Sequence, residues 1–149
     1  MEARDHDRSK LIIATKCGNH DIKGNVNAPG LSRHNIIRSV EDSLKRLKTS
    51  YIDILYTHVW DEGTPLAETL ATLNSLVEQG KVRYIGASNL TGWQLQLASI
   101  QGSKLTMGGY MALQQQVREA SDWSVLGDAV FSLVNIFSTT SCVARWSLR

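Results

Sequence analysis

The feature that most constrains this chain is a regular alternation. Four short apolar runs begin near residues 11, 52, 82 and 110, and between them lie stretches with helical period and helix-end signals. Strands and helices in strict alternation bury both kinds of element as a parallel sheet with helices packed on it, joined by right-handed crossovers. The expected class is therefore α/β, with parallel strands whose carboxyl ends all open on one edge.

The individual signals support that order. Leu11-Ile12-Ile13-Ala14-Thr15 reads as a buried strand, followed by a glycine-rich loop over Cys17–Leu31. Ser32 is placed to cap a helix running through Lys48, with Ile36, Ile37, Val40, Leu44 and Leu47 on one stripe and Glu41/Lys45 and Asp42/Arg46 as i,i+4 pairs outside. A second strand is expected over 52–58. Thr64-Pro65 then supplies a cap and first-turn proline for a helix that presents Leu66, Leu70, Leu73 and Val77 and stops at Gly80. A third strand is expected over 82–87, a helix from Thr91 with a capping box to Gln94 and a Leu90–Leu95 staple, and a fourth strand over 110–114.

Composition removes several function classes. Lys plus Arg number 16 against 14 for Asp plus Glu, a near balance that gives no long-range field for nucleic acid or an anionic membrane. The longest apolar run, Ala129–Phe137, is far short of the ~20 residues that cross a bilayer, and Met1–Lys10 is polar. Cys17 and Cys142 make no CxxC pair, so the expected setting is the reducing cytoplasm. His6, His20, His34 and His58 lack metal-ligand spacing and no metal site is expected; the glycines fit neither a dinucleotide fingerprint nor a P-loop.

Function is expected at the carboxyl ends of the strands. Lys16 follows the first run, His58 ends the second, Ser88-Asn89 follow the third and Gln114 the fourth. Each alone has a bland explanation as a solvated loop residue, a structural histidine or a turn former. Together they gather a cation, an imidazole, a hydroxyl and two amides, a set that can orient a polar ligand and polarise a carbonyl. Trp60, just beyond His58, fits a pocket lining and simple packing equally well.

The stretches Leu11–Lys16, Ser39–Leu47, Tyr51–His58 and Gly80–Asn89, with a weaker continuation through Leu113–Gln116, resemble the aldo-keto reductases, most closely their fungal aryl-alcohol dehydrogenase-like branch. The resemblance implies a partial (β/α)8 TIM barrel of about four βα units over residues 1–116. It also implies NADP(H) as cofactor and hydride transfer between nicotinamide and a small aldehyde, ketone or alcohol. Lys16 matches the lysine that lowers the pKa of the catalytic tyrosine, and His58 the histidine that orients the carbonyl. Ser88, Asn89 and Gln114 match the residues that hold the nicotinamide carboxamide.

The chain also departs from that family. The aspartate and tyrosine that precede the lysine strand have no counterpart here, nor do the later phosphate-binding loops, and a full barrel takes about 250 residues. Residues 117–149 form a divergent tail in which Arg118–Trp123 faintly resembles the helix that follows the glutamine strand and Ala129–Arg149 matches nothing; a shifted reading frame or mis-spliced intron is the preferred account, against a genuinely divergent tail. The expectation is an incomplete, inactive reductase fragment, with a non-catalytic binding or regulatory subunit as the alternative and a small doubly wound domain as a third reading. Tyr56 is expected in the core one layer below His58, and Tyr51, Tyr84 and Tyr110 at the opposite end. An uncovered inner face, including Ile12, Ala14, Ile54 and Tyr56, and open sheet edges predict self-association.

Overall fold

The computed structural model describes residues 7–18, 29–105 and 108–115. After a 3-10 turn at Arg8–Lys10 come β1 (Ala14–Cys17), α1 (Arg33–Leu47), β2 (Ile52–Thr57), α2 (Leu66–Glu78), β3 (Val82–Ser88), α3 (Gly92–Gly102) and β4 (Ala112–Gln114). The four strands form one sheet in the order β1-β2-β3-β4, every neighbouring pair parallel. This is the arrangement of four consecutive units of a (β/α)8 barrel. Residues 117–149, where the divergent tail was expected, lie outside the described residues.

Local chemistry explains most of the boundaries. Ser32 caps α1 by accepting from the Asn35 N–H, and Lys48 ends it in the left-handed region at φ 52°, its N–H turned back to the carbonyls of Leu44 and Lys45. The buried stripe is Ile36, Val40 and Leu44; Leu47, expected on it, is largely exposed. Glu41 pairs with Lys81 at the start of β3 rather than with Lys45, because the crossover brings that lysine within reach of the middle of α1. At α2, Pro65 holds the cap position rather than the first turn, since the Thr64 hydroxyl donates to Asp61 Oδ2 at 2.7 Å. Gly80, at φ +72°, supplies the left-handed turn into β3. Thr91 N–H donates to Gln94 Oε1 at 2.8 Å, the reciprocal half of the expected capping box.

The helices cover one face of the sheet. Leu55, Thr57, Ile85 and Ala87 occupy that face and are at most 1% exposed. They form one core with Ile36, Val40, Leu70, Leu73, Leu76, Leu95 and Ala98, and each large aliphatic side chain so buried contributes about 1.5–3 kcal/mol. The opposite face carries Ala14, Ile54, Tyr56, Tyr84 and Gly86 in register. Tyr84 is 57% exposed there. The Tyr56 ring lies over Gly86, where an added Cβ would stand 2.5 Å from ring carbons, so the glycine is required by close approach.

Two strand expectations shift. Leu11 and Ile12 precede β1 instead of starting it and are 41% and 72% exposed, because Arg8–Lys10 turns the chain and only from Ile13 does the backbone meet β2. Lys16 consequently sits inside β1, not after it. β4 begins at Ala112 rather than 110, the preceding glycines Gly108 and Gly109 both having positive φ. No helix among the described residues is long and apolar enough to cross a membrane.

Candidate functional site

Because all four strands run the same way, their carboxyl ends meet at one edge. His58 follows β2 directly, and its N–H donates to the Cys17 carbonyl at 2.9 Å. Ser88 ends β3 opposite Gln114 at the end of β4. Asn89 joins three of the strands: its backbone N–H donates to the Gln114 carbonyl at 3.2 Å and its side-chain amide to the His58 carbonyl at 3.0 Å. To do so it adopts φ 56°, a left-handed conformation that asparagine tolerates better than most residues. Lys16 is paired with Tyr56, so its Cα stands two residues lower than His58 along the sheet, roughly 6.6 Å at the usual strand rise.

The edge therefore gathers Lys16, His58, Asn89 and Gln114, as the sequence led one to expect, with Lys16, Asn89 and Gln114 exposed and His58 half-buried. Ser88 differs from them in being 1% exposed. Chemically the donor set suits a carboxamide: two amides and a hydroxyl can meet its one acceptor and two donor hydrogens. A cation and an imidazole on the neighbouring strands are suited to an ionising oxygen and a carbonyl.

Beneath this edge Cys17, Thr57 and Tyr110 are buried. Tyr110 lies before β4, as expected of a residue at the far end, but its long side chain reaches Thr57, whose hydroxyl donates to the phenol oxygen at 3.3 Å. Its hydroxyl is thus on the helix side, one residue short of His58, in place of the opposite end expected of it. Burial pushes the Tyr110 phenol up to about 12 and, also through desolvation, the Cys17 thiol up to about 12. Neither is a reactive group. A cavity of about 10 Å³, room for one water, adjoins Tyr110 between Leu31, Thr57, Asp61 and Thr69, and is also lined by Val59 and Leu90, the residues that follow His58 and Asn89.

Asp61 was not anticipated. Its carboxylate accepts from the Leu31 N–H at 2.6 Å, the Thr64 hydroxyl at 2.7 Å and the Gly63 N–H at 2.9 Å, fastening the segment before α1 to the loop after β2. The partners are up to 30 residues away in sequence, which hides the role from local reading. Trp60 meets Trp93 edge-to-face with centroids 5.6 Å apart, packs against the core and also lines the cavity, so both roles its position allowed are present. Among the described residues no group of three His, Cys, Asp or Glu side chains is gathered to hold a metal ion.

Comparison with known proteins adds what geometry alone does not. The family model for the Aldo/keto reductase family matches residues 1–118. An aldo-keto reductase of Fusarium vanettenii is 42% identical over a stretch covering 63% of this chain and 30% of its own length. The versiconal hemiacetal acetate reductase of Aspergillus parasiticus is 41% identical, with 60% and 30% covered. An aryl-alcohol dehydrogenase of Pestalotiopsis microspora is 36% identical, with 61% and 25% covered. The matched stretch thus spans a third or less of each of these relatives.

Proposed function

This chain belongs to the aldo/keto reductase family, and from that premise we propose that its carboxyl edge is the carbonyl- and nicotinamide-facing part of an NADP(H)-dependent reductase site. The observation that carries the reading is the convergence of Lys16, His58, Asn89 and Gln114 on one edge of a parallel sheet, with Asn89 bonded to the ends of β2 and β4. Reduced nicotinamide supplies the hydride when bound. The chain's own residues do the positioning. Ser88, Asn89 and Gln114 hold the carboxamide and so select the ring face, and the His58 imidazole keeps a substrate carbonyl oxygen in line. The Lys16 ammonium favours the ionised form of a phenol placed beside it.

The proton is the missing part. Tyr110 is bonded to Thr57 in the core, withdrawn from the edge, and the Tyr56 ring, level with Lys16, lies over Gly86. General acid catalysis typically contributes about 10²–10⁴-fold. The proposal is accordingly that the chain, working in the cytoplasm on small carbonyl or alcohol compounds in its complete form, does not turn over in this form. That same observation favours a second reading, a non-catalytic binding or regulatory subunit, which would hold NADPH without consuming it.

The test is NADPH oxidation by the purified chain with 4-nitrobenzaldehyde, alongside NADPH binding followed by its fluorescence. No oxidation is expected. Binding without oxidation selects the second reading, whereas oxidation that is lost in both His58→Ala and Lys16→Met overturns the proposal and assigns another acid to the site.

A further inference from the structure

His58 stands one residue beyond Thr57, the last residue of β2, where a loop ordinarily leaves the backbone free to turn. Here both of its peptide planes are tied. Its N–H donates to the Cys17 carbonyl at 2.9 Å, and its carbonyl accepts from the Asn89 side-chain amide at 3.0 Å. The chain has two soft dihedrals at each residue. With the plane of the N–H fixed, rotation about the N–Cα bond would swing the carbonyl and the Cβ together. A tether on the carbonyl therefore also holds the direction in which the imidazole leaves the chain.

Asn89 supplies that tether through its unusual backbone. At φ 56° its own N–H goes to the Gln114 carbonyl on β4 at 3.2 Å, and the side-chain amide serves the His58 carbonyl on the other side. Cys17, His58, Asn89 and Gln114 are thereby joined in one belt of hydrogen bonds across the ends of all four strands. We infer that Asn89 is a positioning residue for the His58 imidazole, in addition to any contact it makes with a ligand. The inference rests on the reading of this edge as a carbonyl and nicotinamide site for the use of that imidazole; the tether itself belongs to the ligand-free chain. A side chain that orients a carbonyl must be held close to its productive direction, and neighbouring hydrogen bonds are the means of holding it. One hydrogen of the Asn89 amide is committed to this task. The same residue thus couples the strand end that carries Ser88 to the one that carries His58.

Asn89→Gly separates the tether from the turn, because glycine accepts the left-handed conformation and keeps the N–H that goes to Gln114 while losing the amide. Nuclear magnetic resonance of the labelled full chain without ligand reads the result. In the variant the His58 N–H should exchange with solvent about 3–10-fold faster, its HN–Hα coupling, which reports φ, should change, and the imidazole resonances should move. The N–H of residue 89 and those of Arg8 and Tyr51 should keep their exchange rates. If Asn89→Gly does not fold, Asn89→Asp decides by the same exchange and coupling measurements, since aspartate tolerates the same φ and replaces the donor with an acceptor. A His58 whose exchange, coupling and imidazole resonances are unchanged in the folded variant overturns the inference. So do changes equally large at Arg8 and Tyr51, which would mark a general loss of stability. Addition of reduced nicotinamide mononucleotide to the parent chain is the separate arm: if no resonance at this edge moves, the nicotinamide reading fails, while the ligand-free comparison still decides the tether.

Discussion

The two ends of the one sheet treat polar groups in opposite ways. At the amino end, Arg8 donates to Asp53 Oδ2 at 2.6 Å, Leu11 O at 2.7 Å, and Thr49 Oγ1 and Tyr51 O at 2.9 Å. Its guanidinium also lies 3.9 Å from the Tyr51 ring centroid, with Arg83 at 4.7 Å. Asp53 accepts the Ile13 N–H as well, at 2.8 Å. At the carboxyl end Lys16, Asn89 and Gln114 are exposed. The contrast separates stability from function: one end is a closed network that joins residues 8 to 53 and fixes the start of β1, and the other leaves Lys16 and Gln114 exposed above a buried layer, with Asn89 tying the strand ends together.

The largest effect is expected from that buried layer. Cys17 and Tyr110 stay neutral in the fold until about pH 12, whereas in the unfolded chain they ionise near their ordinary values of about 8.5 and 10. Between those values and 12 the unfolded state releases protons first. Stability is therefore complete below about pH 8.5 and falls as pH rises to 12, by up to ~1.4 kcal/mol per pH unit for each group. Urea unfolding from pH 7 to 11 measures it, and a flat profile would mean that water reaches the layer beneath the exposed edge.

Next in size is Asp53→Ala. It strands a half-buried guanidinium and the Ile13 N–H, and about 2–4 kcal/mol should be lost in urea unfolding at neutral pH. His58→Ala and Lys16→Met, at the other end, should stay within about 0.5 kcal/mol. Equal costs at both ends would erase the distinction between them. Smaller still is the strain at Asn89: Asn89→Ala should cost about 1–2 kcal/mol through its left-handed backbone and the lost bond to His58, and Asn89→Gly less. Thermal unfolding of the pair reads the difference.

How far the sequence revealed these two ends follows from the range of the interactions. Ser32, Gly80 and the Thr91–Gln94 pair act within a few residues, and their helix ends stand where local chemistry puts them. The carboxyl-edge residues were legible too, because strand direction alone carries Lys16, His58, Asn89 and Gln114 to one side. The amino-end network was not, since Arg8 and Asp53 are 45 residues apart. Leu11 and Ile12 misled because an apolar run does not say whether the chain in front of it turns. Tyr110 misled because backbone position does not give the reach of a phenol. Glu41 answered to Lys81 across the fold, where the i,i+4 pattern offered a nearer lysine.

The most direct measurement follows backbone and side-chain amide resonances of the isotopically labelled chain as reduced nicotinamide mononucleotide is added. This ligand carries the carboxamide but needs little of the phosphate-binding apparatus. Shifts confined to Lys16, His58, Ser88, Asn89, Gln114 and their immediate neighbours, with Arg8, Tyr51 and Asp53 unmoved, are the expected result. Shifts centred on the amino end, or none at the carboxyl edge at millimolar ligand, would contradict the assignment of function to that edge.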